Sequence, residues 1–524
     1  MDRETNRAAR GKWGAMVQPA AWAAFFAALL FGLVAHGMAL LNKYSWHDDI
    51  FSLFLQGETI TSGRWMLHVL GRLEILVFGD GHFSLPLMNG LFSLLCIGLS
   101  AGLLAQGLRL RSRGLGALLG CVMAAFPMLA ALFGFMFAAP YYMLALLMMV
   151  AGALLIGGKH SWGAKVAGCL LSGCAVGVYQ AFLPLLLTVI LLADIQAIGE
   201  KGEDALALGK RLLLQAVCVA GVMAIYLAGS HYFLNKYDLE MSPYMGLNQA
   251  DSLPLRVYLE RAGRAYGEFF RPTRNAPWDM YPQHAYYLYY FAMGVNLALG
   301  AAAVIRAWKQ SRGKALLLAL LLGLYPLGCN FIFVLSAEIH GLMVYGQVMH
   351  FVLCILLVDQ VWLRLGRWRQ LAGSAVTVAL GLLCVMYARY DNECYFKTAF
   401  YQQEAISWDT ALVTRIKSAP GFRDELPVAW VNRYEMQDAS LYNMEEMKGL
   451  SLTGYEETLE EYVNNWAWER FLQRWCGFDP ETVDEAEVKT WPEVQAMPSY
   501  PAADSIQVIH DVVVVKFGEG SEGT

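Results

Sequence analysis

Two aspartates stand side by side in the string Trp46-His47-Asp48-Asp49, directly after the first long apolar run of the chain. Adjacent carboxylates at a membrane boundary repel each other and lose hydration, which raises the pKa of at least one unless a cation or metal is near. A carboxylate that takes up a proton near neutrality is what a general base requires. The same pair can instead cap the helix that follows, since Asp is a favoured N-cap, or hold one divalent ion. No further metal ligand stands at a characteristic spacing, so no metal site or cofactor is assigned.

Next comes Thr61-Ser-Gly-Arg-Trp65, opening an amphipathic stretch that carries Arg64, His68 and Arg72. Such a stretch predicts a helix lying in the membrane interface. Its guanidiniums suit phosphate, because the planar fork donates two parallel hydrogen bonds. Pairing of Arg64 and Arg72 with Glu58, Glu74 or lipid headgroups is the simpler alternative. On one helix the two arginines stand about 12 Å apart, too far to fork one phosphate together unless the helix breaks at Gly71.

Other polar groups fall where spans end. Tyr179 and Gln180 lie in Gly177-Val-Tyr-Gln-Ala181, Glu338 and His340 in a short turn, and Gln347 and His350 just after it. Ionisable residues at such depth are functional candidates by default, although packing or an interhelical hydrogen bond accounts for each equally well. A second long polar connection carries Arg256, Glu260, Arg261, Arg264, Arg271 and Arg274. That concentration asks for an anionic partner, for which Arg271 and Arg274 are the phosphate candidates. Trp278, Tyr281, Tyr286, Tyr287, Tyr289 and Tyr290 read as an interfacial aromatic belt, with sugar stacking as the alternative.

The elements that position these groups are legible in the hydropathy. The 524-residue chain is 57% hydrophobic and 16% charged, outside the range of an ordinary soluble enzyme, and no basic run points to nucleic acid. Apolar segments of spanning length occur at 17–41, 84–108, 114–133, 137–157, 163–181, 182–198, 211–234, 285–305, 315–336, 342–362 and 370–390. The basic clusters Arg109/Arg111/Arg113, Lys159/His160/Lys165, Lys201/Lys210/Arg211, Arg306/Lys309/Arg312/Lys314 and Arg364/Arg367/Arg369 all fall on one side of these segments. The positive-inside rule makes that side cytoplasmic. About eleven spans then leave the N-terminus inside and the C-terminus outside, with 17–41 a retained first helix rather than a cleaved signal. Gly116/Gly120 and Gly173/Gly177 read as close helix contacts.

Residues 1–390 thus form a polytopic all-α membrane domain and 391–524 a small extracytoplasmic α/β domain. The latter is read as a helix over 398–418, a strand at 427–431, an acidic aromatic helix over 455–475 and a strand over 506–517. It shows no nucleophile motif and reads as an accessory or acceptor-docking domain. Cys394 and Cys476 lie in it, where a disulfide is chemically allowed; the remaining cysteines read as packing residues.

The early Asp-Asp at a membrane exit, then Ser-Gly-Arg-Trp, then Gly-Val-Tyr-Gln-Ala, resemble the bacterial Gtr-type glucosyltransferases that modify O-antigen. These belong to the wider GT-C class of polytopic, lipid-sugar-dependent enzymes. The many spans followed by a small outer domain are similar too, though specific residues match only at these three places. The resemblance implies an enzyme of the bacterial cytoplasmic membrane whose active site faces outward. Its donor would be a sugar, glucose in this family, on a polyprenyl phosphate in the membrane lipid. Its acceptor would be a surface glycan, activated by Asp48 or Asp49 in an inverting displacement. The competing reading is a transporter or flippase of lipid-linked sugars, which should show repeated, interrupted helices in two halves; none is visible.

Overall fold

The computed structural model describes residues 17–44, 49, 56–79, 84–199, 205–242, 253–272, 284–362, 367–433 and 467–518. Asp48, Arg274 and 455–466 lie outside them. The described residues divide into two compact units. One comprises those of Met1–Asn42 and Phe54–Glu393, the other those of Lys43–Leu53, Cys394–Leu452 and Glu456–Thr524.

The first unit is helical throughout. Helix α1 (Pro19–Leu41) starts with proline at its first position, where the missing N–H costs nothing. Two short helices, α2 (Gln56–Thr61) and α3 (Trp65–Phe78), follow, then α4 (Pro86–Gly107). The segment expected as one span over 114–133 is broken. It forms α5 (Arg113–Ala124) and α6 (Met128–Phe133), because Pro127 between them cannot continue the hydrogen-bond ladder. α7 (Ala139–Gly157) and α8 (Trp162–Val178) come next, and the chain turns extended at Tyr179. A single 3₁₀ turn (Gln180–Phe182) leads into α9 (Leu183–Gly199).

α10 (Ala205–Tyr237) runs longer than expected, and α11 (Leu255–Phe270) is an amphipathic helix within the second polar connection. α12 (Ala285–Trp308) and α13 (Arg312–Cys329) precede the one-turn α14 (Ile332–Leu335). Where a span was expected from 342, the chain makes 3₁₀ turns at Gly341–Met343 and Tyr345–Val348 before α15 (Met349–Trp362) begins. Gly341 and Gly346 weaken helix there.

Among the described residues eight helices are long and apolar enough to cross a membrane, while α5, α8 and the segment Tyr345–Gln360 are apolar but shorter. Each expected segment therefore contains apolar helix, but eight rather than eleven reach spanning length. The expected close contacts are present. A Cβ on Gly116 or Gly120 would meet the Ala20 or Ala24 carbonyl of α1 at 2.3 and 2.1 Å. Asp359, at the end of α15, accepts from the backbone N–H groups of Arg111 and Ser112 at 3.0–3.2 Å, satisfying donors at the start of α5.

α16 (Arg367–Lys417) is continuous, where two helices separated near 391–397 were expected. No Gly or Pro stands between the two segments, so nothing interrupts the backbone ladder. The end of α16 belongs to the second unit, together with β1 (Val428–Val431), α17 (Trp468–Phe471), α18 (Glu485–Val488), α19 (Pro492–Ala496), β2 (Ile506–Ile509) and β3 (Val512–Lys516). The strands lie in the order β1-β3-β2, with β1 parallel and β2 antiparallel to β3. The run 506–517 is thus a hairpin rather than one strand. His510 and Asp511 turn it with φ of 49° and 60°, the left-handed pair that matches strand twist.

Val513 and Val515 face Leu412, Ile416, Trp430, Trp468 and Phe517, while Val512 and Val514 face Val431, Val488 and Val494. The small three-stranded sheet is therefore covered on both faces. No disulfide joins Cys394, which is buried, to Cys476, which is half-buried. The Cys476 sulfur lies 3.9 Å from the Thr410 hydroxyl.

Candidate active site

In the first unit, α2 closes with Gly63 at a φ of +74°, its N–H bonded to the Ile60 carbonyl and the Arg64 N–H to that of Thr59, each at 2.9 Å. This is a Schellman ending, which needs a left-handed residue that glycine supplies without steric cost. Space demands glycine as well. A Cβ there would stand 2.5 Å from the Tyr226 hydroxyl and 2.8 Å from the Gln180 amide.

The corner so made docks on the break between α8 and α9. The Gln180 amide donates to the Ser62 carbonyl at 2.8 Å and to the Tyr226 hydroxyl at 3.2 Å. Trp65 is buried, its indole N–H donating to the Tyr226 carbonyl at 3.1 Å and its ring stacked on Phe233. It fits because Gly177 and Gly229 lack side chains; a Cβ on either would come within 2.6 Å of the indole. Arg64, the residue between, points its guanidinium toward two tyrosines. It lies 5.7 Å from the centre of the Tyr179 ring and donates to the Tyr142 hydroxyl at 3.5 Å. The two phenol rings are stacked at 4.7 Å, and the Tyr179 hydroxyl donates to the Leu342 carbonyl at 3.1 Å. A planar cation beside stacked, hydroxyl-bearing rings can fork an anionic oxygen while the rings present faces and hydroxyls to a polar ring.

Leu342 stands two residues after His340, so the turn 336–343 is fastened to the same cluster. Burial lowers the proton affinity of His340, and the charge of Glu338 opposes this. Glu338 itself is exposed. Gln347 is buried in the following 3₁₀ turn. His350 is not in the cluster. It is fully buried, stacked on Tyr289 at 4.5 Å and in contact with the Asn296 amide at 3.3 Å, which makes it an interhelical packing residue.

The remaining arginines take other places. Arg72 lies on the exposed side of α3, whose far end also exposes Leu76, Val77 and Phe78. Glu74, the alternative partner for these arginines, hydrogen bonds the Tyr141 hydroxyl. Arg256 pairs with Glu260 at 2.8 Å, and Arg261 and Arg264 donate to carbonyls of Val334, Leu335 and Ala337 at 3.4 Å, holding the end of α14. Arg271 caps α11 and is exposed.

In the second unit, Asp49 is completely buried and paired with the Lys43 ammonium. The cation that the adjacent carboxylates call for is thus a residue of the same short segment. Among the described residues, no three His, Cys, Asp or Glu side chains converge to hold a metal.

Sequence reasoning did not single out Tyr142, Tyr226 or Lys43. The first two lie inside apolar helices whose periodicity hides a polar tip, and Lys43 is a lone base just past the end of α1. The family model described as Glucosyl transferase GtrII matches residues 37–351, which takes in the Asp-Asp pair, the Arg64 corner and the Tyr179 break. No curated protein and no solved structure matched the chain.

Proposed function

The chain belongs to the GtrII glucosyl transferase family, and on that premise we propose that it moves glucose from a polyprenyl-phosphate carrier to a cell-surface glycan. The observation that carries this reading is the docked corner, which sets the Arg64 guanidinium against Tyr142 and Tyr179. In the reaction, an acceptor hydroxyl gives its proton to the carboxylate of Asp48 or Asp49 as its oxygen bonds the anomeric carbon. The bond from that carbon to the phosphate oxygen breaks, and its electron pair leaves with the polyprenyl phosphate. Displacement from the opposite face inverts the anomeric centre. Arg64 stabilises the departing anion, where preorganised charge contributes most. Arg271 and Arg274 supply a second positive contact, and Gln180, Glu338, His340 and Gln347 bond sugar hydroxyls.

In this proposal the membrane is the bacterial cytoplasmic membrane, residues 391–524 lie outside it, and the N-terminus lies in the cytoplasm, as the one-sided basic clusters support. The test is incubation of purified protein with polyprenyl-phosphate glucose and a lipid-linked surface glycan, with both followed by mass spectrometry. Release of polyprenyl phosphate together with a hexose gained by the acceptor is expected. An intact donor in every condition overturns the reading, and movement of unchanged donor across a vesicle bilayer would replace it with transport.

A further inference from the structure

The chain leaving α1 is packed as part of the second unit, and one side chain of α16 holds it there. Gln402 is buried, and its amide donates to the backbone carbonyl of Lys43 at 3.1 Å. The Lys43 ammonium donates in turn to the Asp49 carboxylate and, at 3.2 Å, to the Tyr44 carbonyl. These bonds form a chain of three residues, from a rigid helix through a backbone carbonyl to a buried carboxylate. Arg474 adds a second positive charge from the π-turn Leu472–Cys476. Burial and Arg470 lower its proton affinity, and Asp49 raises it. Such turns recur at functional sites because they re-aim side chains.

We propose that Gln402 is a positioning residue for the Asp49 carboxylate. This rests on the reading of Asp49 as a proton acceptor. The physical reason is geometric: proton transfer needs hydrogen-bond reach, and a displacement of about 1 Å costs on the order of a hundredfold in rate. A carboxylate on a connecting segment gains that precision only from a supporting contact on a rigid element.

The experiment uses the full-length protein with polyprenyl-phosphate glucose, measuring kcat and donor KM. Gln402→Glu keeps the size of the side chain but has no N–H to give the carbonyl. Gln402→His places an imidazole N–H at nearly the position of the lost amide. The expected result is a kcat lowered tenfold or more in Gln402→Glu, a donor KM within twofold of native, and recovery of most of the rate in Gln402→His. Native kcat in Gln402→Glu overturns the proposal. So does a loss that tracks a lowered Tm and is not recovered by Gln402→His. Asp49→Asn, measured alongside, separates the two claims. If it turns over donor at the native rate, the reading of Asp49 itself fails; if it is inactive while Gln402→Glu is native, only the positioning role fails.

Discussion

The Gln180 side-chain amide donates to the backbone carbonyl of Ser62 across 118 residues of sequence, at 2.8 Å. That one bond joins two of the short strings on which the family resemblance rests, and Arg64 lies beside Tyr142 and Tyr179.

Gly63→Ala tests the corner. The left-handed φ costs an alanine about 1 kcal/mol, and the added carbon collides with Tyr226 and Gln180. A Tm lowered by a few degrees and a donor-dependent rate reduced at least tenfold are expected. A fully active variant would mean that the corner need not dock for function.

Arg64→Lys keeps the charge but loses the fork that grips a phosphate oxygen pair. The donor-dependent rate should fall by about tenfold or more at matched expression, whereas that of Arg72→Lys, on the exposed side of α3, should stay within about twofold. Equal, near-native rates for the two would return Arg64 to an interfacial anchor.

Asp48→Asn and Asp49→Asn should both express, and at least one should lower turnover by about a hundredfold, the usual worth of a positioned base. Normal turnover by both single variants and the double variant moves the base elsewhere, with Glu338 the next residue to test.

His68 gives a pH dependence of stability. Its ring is held 3.3 Å from the Tyr237 hydroxyl, and burial, then Arg72 and Lys236, lower its pKa from the ordinary 6.5. The folded state therefore prefers the neutral ring. As pH falls through 6.5 the unfolded chain takes up the proton first, so stability declines until the lower folded value is passed, and above about pH 7 the effect vanishes. Between pH 7.5 and 5.5 the native protein should lose more Tm than His68→Gln. Parallel declines would show that His68 is not the group responsible.

The proposed orientation is checked by labelling. A cysteine introduced at Glu203 should react with a membrane-impermeant maleimide only from the cytoplasmic side, and one at Glu481 only from outside. Protection of position 481 from external reagent would remove the outward-facing site.

The sequence by itself determined the helical, membrane-embedded character, the α/β nature of the tail and the short strings that matter. Each is a local property: apolar runs of spanning length, β-branched runs, and side-chain chemistry readable without neighbours. It could not show that Pro127 splits one segment, that α16 runs unbroken past Asp391, or that 506–517 folds back at His510-Asp511. Such boundaries depend on a balance of about 1–3 kcal/mol per residue between local propensity and packing. Only the tertiary structure decided how the polar residues are used. It put His350 between Tyr289 and Asn296 as packing, spent Arg261 and Arg264 on the end of α14, and gave Asp49 the Lys43 ammonium. It also placed Tyr142 and Tyr226, invisible within apolar helices, against Arg64 and Gln180. A buried charge or hydroxyl must find a partner, but which partner is a matter of how helices distant in sequence pack, and no spacing along one chain encodes that.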